Sequence, residues 1–112
     1  MAATVTFESH LGEFLDALPE QIERALIAIG MTAETHAKEE CPVDTGRLRN
    51  SITHEVDMSD QSDQAAIIGS NVEYAAYVEL GTSRQKAQPY LRPAAQNHTQ
   101  EYKKIVESAL KS

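Results

Sequence analysis

The sequence predicts a single α+β domain over residues 1–112, with a long N-terminal helix and a C-terminal helix packed on one face of a small antiparallel sheet. Apolar residues recur every three or four positions before Pro42 and again after Pro93, which is the period of an amphipathic helix. Between these regions, two strand-like segments are separated by residues 58–64, which are polar and have the composition of a hairpin connection. An all-helical structure or a parallel sheet would contradict this prediction.

The first third of the chain predicts a short strand and then the longest helix. Residues 4–7 have the β-branched and aromatic character of a strand. Between residues 11 and 40 one helix face is apolar, and it carries Leu11, Phe14, Leu15, Leu18, Ile22, Leu26, Ile29, Ala33 and Ala37. Pro19 interrupts this pattern, so that either a new helix begins there or one helix is kinked. The continuous apolar stripe favours one long, bent helix that ends near Glu40, before Pro42.

The remaining elements are shorter. Asp44 is a candidate cap for a helix of residues 47–50. Strands are expected at residues 52–56 and 65–69, and residues 74–80 fit either a strand or a helical turn. Residues 81–88 have no apolar period and predict an exposed loop. Pro93 fits the first turn of a final helix, whose apolar side is formed by Tyr102, Ile105, Val106 and Ala109.

Composition is that of an ordinary globular domain, with 41% hydrophobic and 24% charged residues. No segment approaches the roughly 20 apolar residues of a membrane span, and the amino terminus does not resemble a signal peptide. We therefore expect a protein that is made and kept in a cytoplasm, without membrane association. The single cysteine, Cys41, excludes an internal disulfide and fits a small apolar residue at a helix end.

The net charge of −7 is unevenly distributed. Residues 1–41 carry eight acids and two bases, whereas residues 42–93 carry seven acids and five bases. Proteins that bind nucleic acid through its phosphates generally have a concentrated basic surface. A few cations in an acidic chain do not form such a surface, so specific nucleic-acid binding is disfavoured.

Three motifs dominate the second half of the chain. They are residues 41–52 (CPVDTGRLRNSI), 73–82 (EYAAYVELGT) and 89–94 (PYLRPA). In this order and spacing they resemble the small neck or tail-completion proteins of tailed bacteriophages, the family typified by gene product ten of the Hong Kong-type lambdoid phages. The motif positions that we single out as structural are Asp44, Gly46, Leu48, Tyr74, Tyr77, Glu79, Gly81, Pro89, Leu91 and Pro93.

This resemblance implies a virion protein of a phage or prophage at the head–tail junction or the head-proximal end of the tail. Relatives are described as neck, tail-completion, head–tail joining or minor tail proteins, and the resemblance does not choose among them. It also implies an α+β fold, a homo-oligomeric ring in the particle, other connector or tail proteins as partners, and assembly in the cytoplasm of a bacterial host. No cofactor is implied.

Several motif residues allow more than one interpretation. Arg47 and Arg92 could each hold a carboxylate in a fork, either Glu79 within the fold or an acid of a neighbouring subunit. Tyr74 and Tyr77 are expected to close the core over the long helix. Gly81 is expected to supply a positive backbone angle.

Catalysis has weak support in the sequence. Residues 44–46 (DTG) match the catalytic triplet of aspartic proteases, but they follow a helix and are better explained by capping. The four histidines are dispersed and predict neither a ligand set nor a general base; they are His10, His36, His54 and His98. The alternative to a structural protein is a small nucleic-acid-modifying or toxin-like enzyme that uses His54, Glu79 and the arginines.

A ring needs two different complementary patches on each subunit. We hypothesise that the acidic long helix provides one patch and that the cations of the motif region provide the other; these are Arg47, Arg49, Arg84, Lys86 and Arg92. The isolated chain could be monomeric because its net charge opposes self-association. The loop of residues 81–88 is either part of the basic patch or a simple solvated connection.

Overall fold

The computed structural model describes residues 2–6, 18–42, 46–58 and 64–111. Helices and an antiparallel sheet are both present, which confirms the predicted α+β class. In chain order the elements are β1 (Ala2–Thr6), α1 (Pro19–Glu40), α2 (Arg47–Ser51), β2 (Thr53–Asp57), β3 (Ala65–Gly69), α3 (Ala75–Leu80), α4 (Leu91–Gln96) and α5 (Thr99–Lys111).

The sheet has three strands in the order β1-β3-β2, and both pairings are antiparallel. The predicted strands at residues 52–56 and 65–69 are confirmed, while the expected connection at residues 58–64 lies largely outside the described residues. On β3, Ala66 and Ile68 are buried, and their partners Val56 and His54 on β2 are half-buried. Because residues two apart on a strand share a face, these four side chains mark the face toward α1.

The long helix begins at Pro19, so the single bent helix favoured from the sequence is wrong at this point. Leu18 has extended backbone angles (φ −74°, ψ 149°), and its side chain is 61% exposed rather than part of the apolar stripe. Pro19 occupies the first helical position, where its missing N–H costs no hydrogen bond. The Gln21 Oε1 atom accepts a hydrogen bond of 2.9 Å from the Leu18 N–H. The stripe positions at residues 11–15 lie outside the described residues.

The core lies between α1, the sheet and the C-terminal helices. The predicted stripe of α1 is buried from its first turn to its end, at Ile22, Leu26, Ile29, Ala33 and Ala37. Helix α1 contacts β2, β3, α4 and α5, and α4 also contacts β1. Cys41 ends α1 and is buried, as expected, and burial raises the pKa of its thiol.

The C-terminal region forms two helices where the sequence predicted one. Helix α4 contains Pro93 in its first turn but ends at Gln96, with Asn97 as its C-cap, and α5 begins at Thr99. Asparagine competes with the helix by bonding locally to the backbone, which explains a turn at this point. Tyr102, Val106 and Ala109 of α5 are buried, as predicted. The ambiguous segment of residues 74–80 is helical, as α3.

None of the helices in the described part of the chain combines the length and apolar character needed to cross a membrane.

Helix α1 packs tightly against β2 at Gly30. A Cβ atom at this position would lie 2.8 Å from His54 Cδ2 and 3.2 Å from His54 Cβ. The His54 ring is also held by a 3.0 Å contact between its Nδ1 atom and Glu34 Oε1. Burial raises the pKa of Glu34, but hydrogen bonds from His54 and Lys38 outweigh this effect and leave the pKa below its ordinary value. Glu34 is therefore a half-buried contact between helix and sheet, not simply part of a solvated face.

We predict that the effect of Gly30→Ala on stability changes sign with the residue at position 54. In the wild type, the steric conflict with His54 should outweigh the helix propensity gained and lower the free energy of unfolding by about 1 kcal/mol. In a His54→Ala background the conflict is absent, so Gly30→Ala should raise the free energy of unfolding by about 1 kcal/mol. Urea unfolding of the four proteins measures both effects, and equal effects in the two backgrounds would contradict the packing described.

Candidate functional site

The second and third motifs meet at a buried carboxylate. Glu79, on α3, is only 4% exposed. Its Oε1 atom accepts hydrogen bonds from the backbone N–H groups of Tyr90 (2.9 Å) and Leu91 (2.7 Å), and its Oε2 atom accepts one from Arg92 (3.2 Å). These N–H groups lie at the start of α4 and have no partner within that helix. Glu79 therefore caps α4 from a different helix, where a negative charge is favoured by the helix dipole.

Tyr90 provides a second contact between α3 and the start of α4. Its side chain is fully buried, and its hydroxyl donates a 3.3 Å hydrogen bond to the Ala75 carbonyl oxygen in α3. Burial raises the pKa of Tyr90. Leu91 and Ala94 are also fully buried, so three residues of the PYLRPA motif lie in the core, while Pro89 and Arg92 are exposed.

Gly81 makes the turn that lets the chain return from α3 to α4. Its φ of 79° confirms the predicted positive backbone angle. A Cβ atom there would lie 2.7 Å from the Ala87 backbone nitrogen. The Gln88 N–H donates to the Val78 carbonyl oxygen at 2.8 Å, and the Thr82 N–H donates to the Gln85 carbonyl oxygen at 2.9 Å. The Gln88–Val78 bond thus fastens the loop of residues 81–88 at its base, and the Thr82–Gln85 bond closes a turn within residues 82–86, which are exposed, as expected.

Arg47 binds an acid of the same chain, but this acid is Glu73 and not Glu79. The two guanidinium nitrogens of Arg47 lie 3.0 and 2.9 Å from the two carboxylate oxygens of Glu73. The Arg47 Cζ atom lies 5.5 Å from the ring centroid of Tyr74, a cation–π distance. The hydrogen bonds from Arg47 lower the pKa of Glu73. Both side chains are more than half exposed, so other carboxylates can reach Arg47.

The structure separates the two tyrosines of the second motif. Tyr74 is half-buried against the core, as expected, but Tyr77 is 62% exposed. Tyr90, three positions before Pro93, takes the buried place that the sequence analysis gave to Tyr77. Leu80 is 61% exposed on the same short helix. Helix α3 therefore presents two large apolar side chains to solvent, at residues three apart that share a helix face.

A surface cleft of about 630 Å³ joins the first motif, the second motif and the loop. Arg47 and Lys86 are among its lining residues, which are Pro42, Gly46, Arg47, Leu48, Tyr74, Val78, Gln85, Lys86 and Gln88. Gly46, with φ of 80°, stands at the N-terminal boundary of α2, while the predicted cap Asp44 lies outside the described residues. The Leu48 side chain is buried beneath the cleft.

The other three predicted interaction residues are also exposed. Arg49 lies on α2, Arg84 lies in the loop, and Arg92 lies in the first turn of α4. Within the described residues, these three side chains form no ion pair; only the backbone of Arg92 contacts Glu79.

His54 and Glu79, which were considered as an enzymatic acid and base, are each engaged in other contacts. The His54 ring contacts Glu34 and packs on Gly30, whereas the Glu79 carboxylate is occupied by three backbone N–H groups. The sequence analysis also missed a cluster of His36, His98 and Glu101, because its members lie up to 65 positions apart. Sequence spacing contains no signal for such a contact.

Comparison with known proteins supports a phage origin. A model of the family described as "Bacteriophage HK97-gp10, putative tail-component" matches residues 6–81, about two thirds of the chain. The match includes the first motif and all of the second except Thr82, and it ends at Gly81, so the third motif lies beyond it. No curated protein and no solved structure matches the chain.

We predict that the Glu79 carboxylate is essential for stability. Glu79→Ala should lower the free energy of unfolding by about 3 kcal/mol, because three buried N–H groups lose their acceptor and a cavity forms. Glu79→Gln should cost about 1–2 kcal/mol, because one acceptor oxygen is retained while the amide nitrogen opposes an N–H donor. Chemical denaturation measures both values.

Glu73→Gln is the matched control, because Glu73 is an exposed carboxylate that precedes Glu79 in the same motif. It should leave the denaturation midpoint nearly unchanged. Equal losses at positions 73 and 79 would contradict the role of Glu79 as a buried cap.

Proposed function

The chain belongs to the HK97-gp10-like family of bacteriophage proteins, and we propose that it is a structural protein of the virion at the head–tail junction or the head-proximal end of the tail. The family match over residues 6–81 carries this proposal. Such a protein acts by fitting its neighbours and needs no substrate. A ring of identical subunits, joined to other connector or tail proteins, is the arrangement that we propose.

The first surface proposed for ring contacts is the outer side of α1. It combines exposed acids with exposed apolar side chains, of which Ile27 is 41% and Met31 is 56% exposed. The exposed acids of this helix are Glu20, Glu23, Glu39 and Glu40. Protein interfaces commonly place apolar side chains at the centre and charged groups at the rim, and this surface has both components.

The second surface proposed is the basic cleft together with the outer side of α3. Here Tyr77 and Leu80 supply exposed apolar area, and Arg47 and Lys86 line the cleft. We assign the exposed Arg49, Arg84 and Arg92 to the same surface. Its charge is opposite to that of α1. A closed ring joins two different patches of neighbouring subunits, and opposite charge favours correct pairing over the pairing of like surfaces.

Docking would exchange partners at Arg47. Its pair with Glu73 is exposed, and exposed pairs contribute little to stability. A carboxylate of the neighbour can therefore compete with Glu73 at small cost. The guanidinium is already positioned over Tyr74, so less side-chain freedom is lost on binding.

The loop of residues 81–88 extends the basic surface with Arg84 and Lys86. Its base is fixed by the hydrogen bond from Gln88 to Val78, and the exposed residues 82–86 contain a turn closed by Thr82 and Gln85. We propose that the exposed part becomes ordered against an acidic neighbouring ring. The alternative remains a solvated connection between α3 and α4.

The free subunit is expected to be monomeric, because its net charge of −7 opposes self-association until a partner ring offers a template. Assembly would take place in the cytoplasm of the bacterial host, and the finished protein would be in the virion. The alternative of a small nucleic-acid-modifying or toxin-like enzyme receives no support from the positions of His54 and Glu79 described above.

We predict that Arg47→Glu combined with Arg49→Glu blocks tail joining without unfolding the protein. Both side chains are exposed, so the purified variant should retain its circular dichroism spectrum and remain a monomer. The reversed charges should repel the acidic α1 of the neighbour. Electron microscopy of particles made with the variant should then show separate heads and tails, as particles without the protein should.

The matched control is Lys103→Glu combined with Lys104→Glu, which changes the net charge equally at exposed positions of α5. It should support normal joining. Infectious particles from the arginine variant would refute the charge-matched interface. Normal particles without the protein would refute a function at the head–tail junction.

A further inference from the structure

Two histidines and a glutamate from distant parts of the chain meet beside α1. His36 lies on α1, His98 lies between α4 and α5, and Glu101 lies in the first turn of α5. The Nε2 atom of His36 is 2.5 Å from Oε1 of Glu101. The two imidazole rings are stacked, with centroids 3.5 Å apart and planes within 3° of parallel.

We propose that this cluster, the histidine–glutamate cluster, binds a divalent transition-metal ion of the zinc type. One possible ligand atom from each residue lies within 4.8 Å of the others. Imidazole nitrogen and carboxylate oxygen are established ligand types for Zn²⁺, and three protein ligands with a water molecule complete a tetrahedral set. Bonds of about 2.1 Å place tetrahedral ligand atoms about 3.4 Å apart, so the three side chains would have to rotate to reach this spacing.

A fourth residue supports the required orientation of His36. The Oε2 atom of Glu39 lies 3.7 Å from Nδ1 of His36, on the opposite side of the ring from Glu101. This contact is longer than a hydrogen bond, so the Glu39 carboxylate would have to move into hydrogen-bond range when the ion binds. It would then hold the proton on Nδ1 of His36 and leave Nε2 with a lone pair for the metal. Glu39, one turn after His36 on α1, is thus a positioning residue for the proposed ion.

The cluster rests on a packed base and is open on one side. The buried Tyr102 ring presents its edge to both imidazoles, at centroid distances of 6.5 and 6.4 Å. Burial and the charge of Glu101 raise the pKa of Tyr102 to about 12, so its hydroxyl remains protonated at neutral pH. The side chain of Glu101 is 48% exposed, which gives an ion access from solvent.

Binding would change the cluster in a defined way. A metal ion lies near the plane of each imidazole that ligates it, so the two parallel rings must tilt apart. The ion would then join α1 to the turn between α4 and α5, and it would stabilise the folded chain by an amount that grows with the logarithm of its concentration above Kd. This effect does not depend on the function proposed above.

Titration of the full chain with ZnCl₂ alone, followed by isothermal calorimetry, tests the proposal. The wild type should bind one ion, and its melting temperature should rise with zinc and fall again with chelator. Glu101→Gln and His98→Gln should each weaken binding about 100-fold, and Glu39→Gln should weaken it about tenfold. Glu107→Gln removes an exposed carboxylate from the same helix and should leave the affinity unchanged.

Imidazole resonances of the unmodified chain give an independent readout, which does not require any variant to fold. Zinc should shift the ring signals of His36 and His98 and leave those of His54 unchanged, since His54 contacts Glu34 elsewhere. Absence of saturable zinc binding, equal affinities of the wild type and Glu101→Gln, or shifts confined to other histidines would each overturn the proposal.

Discussion

The buried carboxylate of Glu79 is the constraint on which the second half of this fold depends. A charged group that is 4% exposed is tolerated only when its oxygens are satisfied, and here three N–H groups at the start of α4 satisfy them. This contact requires the chain to reverse at Gly81 and return at Gln88. The second and third motifs are therefore two halves of one contact, which explains their spacing.

Because buried Glu79 joins α3 to α4, the outer surfaces of these two helices are available for other contacts. Tyr77 and Leu80 face solvent because the opposite side of α3 holds Glu79 and Ala75 in the core. Arg47, Lys86 and the loop surround a cleft whose walls are supported by the buried Leu48. A rigid base with an exposed basic and apolar rim suits the structural role that we propose for this phage protein.

The sequence predicted what depends on local periodicity and local backbone chemistry. The stripe of α1, the strands β2 and β3 and the positive φ of Gly81 are such features. The sequence-based prediction was wrong where the apolar period continues across a residue that interrupts a helix. The apolar stripe continues past Pro19, so one helix was favoured where a new helix begins. The pattern after Pro93 likewise predicted one helix, although α4 stops before Asn97.

Contacts between distant residues were not predictable from one sequence. The sequence offered Glu79 as a partner for Arg47, but the fold assigns it to backbone N–H groups and gives Glu73 to Arg47. The contact between His36 and His98 was also not predictable, because no rule of sequence spacing relates α1 to the turn before α5. The sequence showed the charges of the candidate site, but it could not show that Arg47 and Lys86 line the same cleft.

Amide hydrogen exchange, measured by NMR, tests the central role of Glu79 most directly. Amides in the first turn of a helix normally exchange quickly, since they have no partner within the helix. Here the amides of Tyr90 and Leu91 should exchange as slowly as that of Ile29 in α1, while the exposed amides of Ser83 and Lys86 exchange rapidly. Exchange of Tyr90 and Leu91 at the rate of the loop amides would contradict the account.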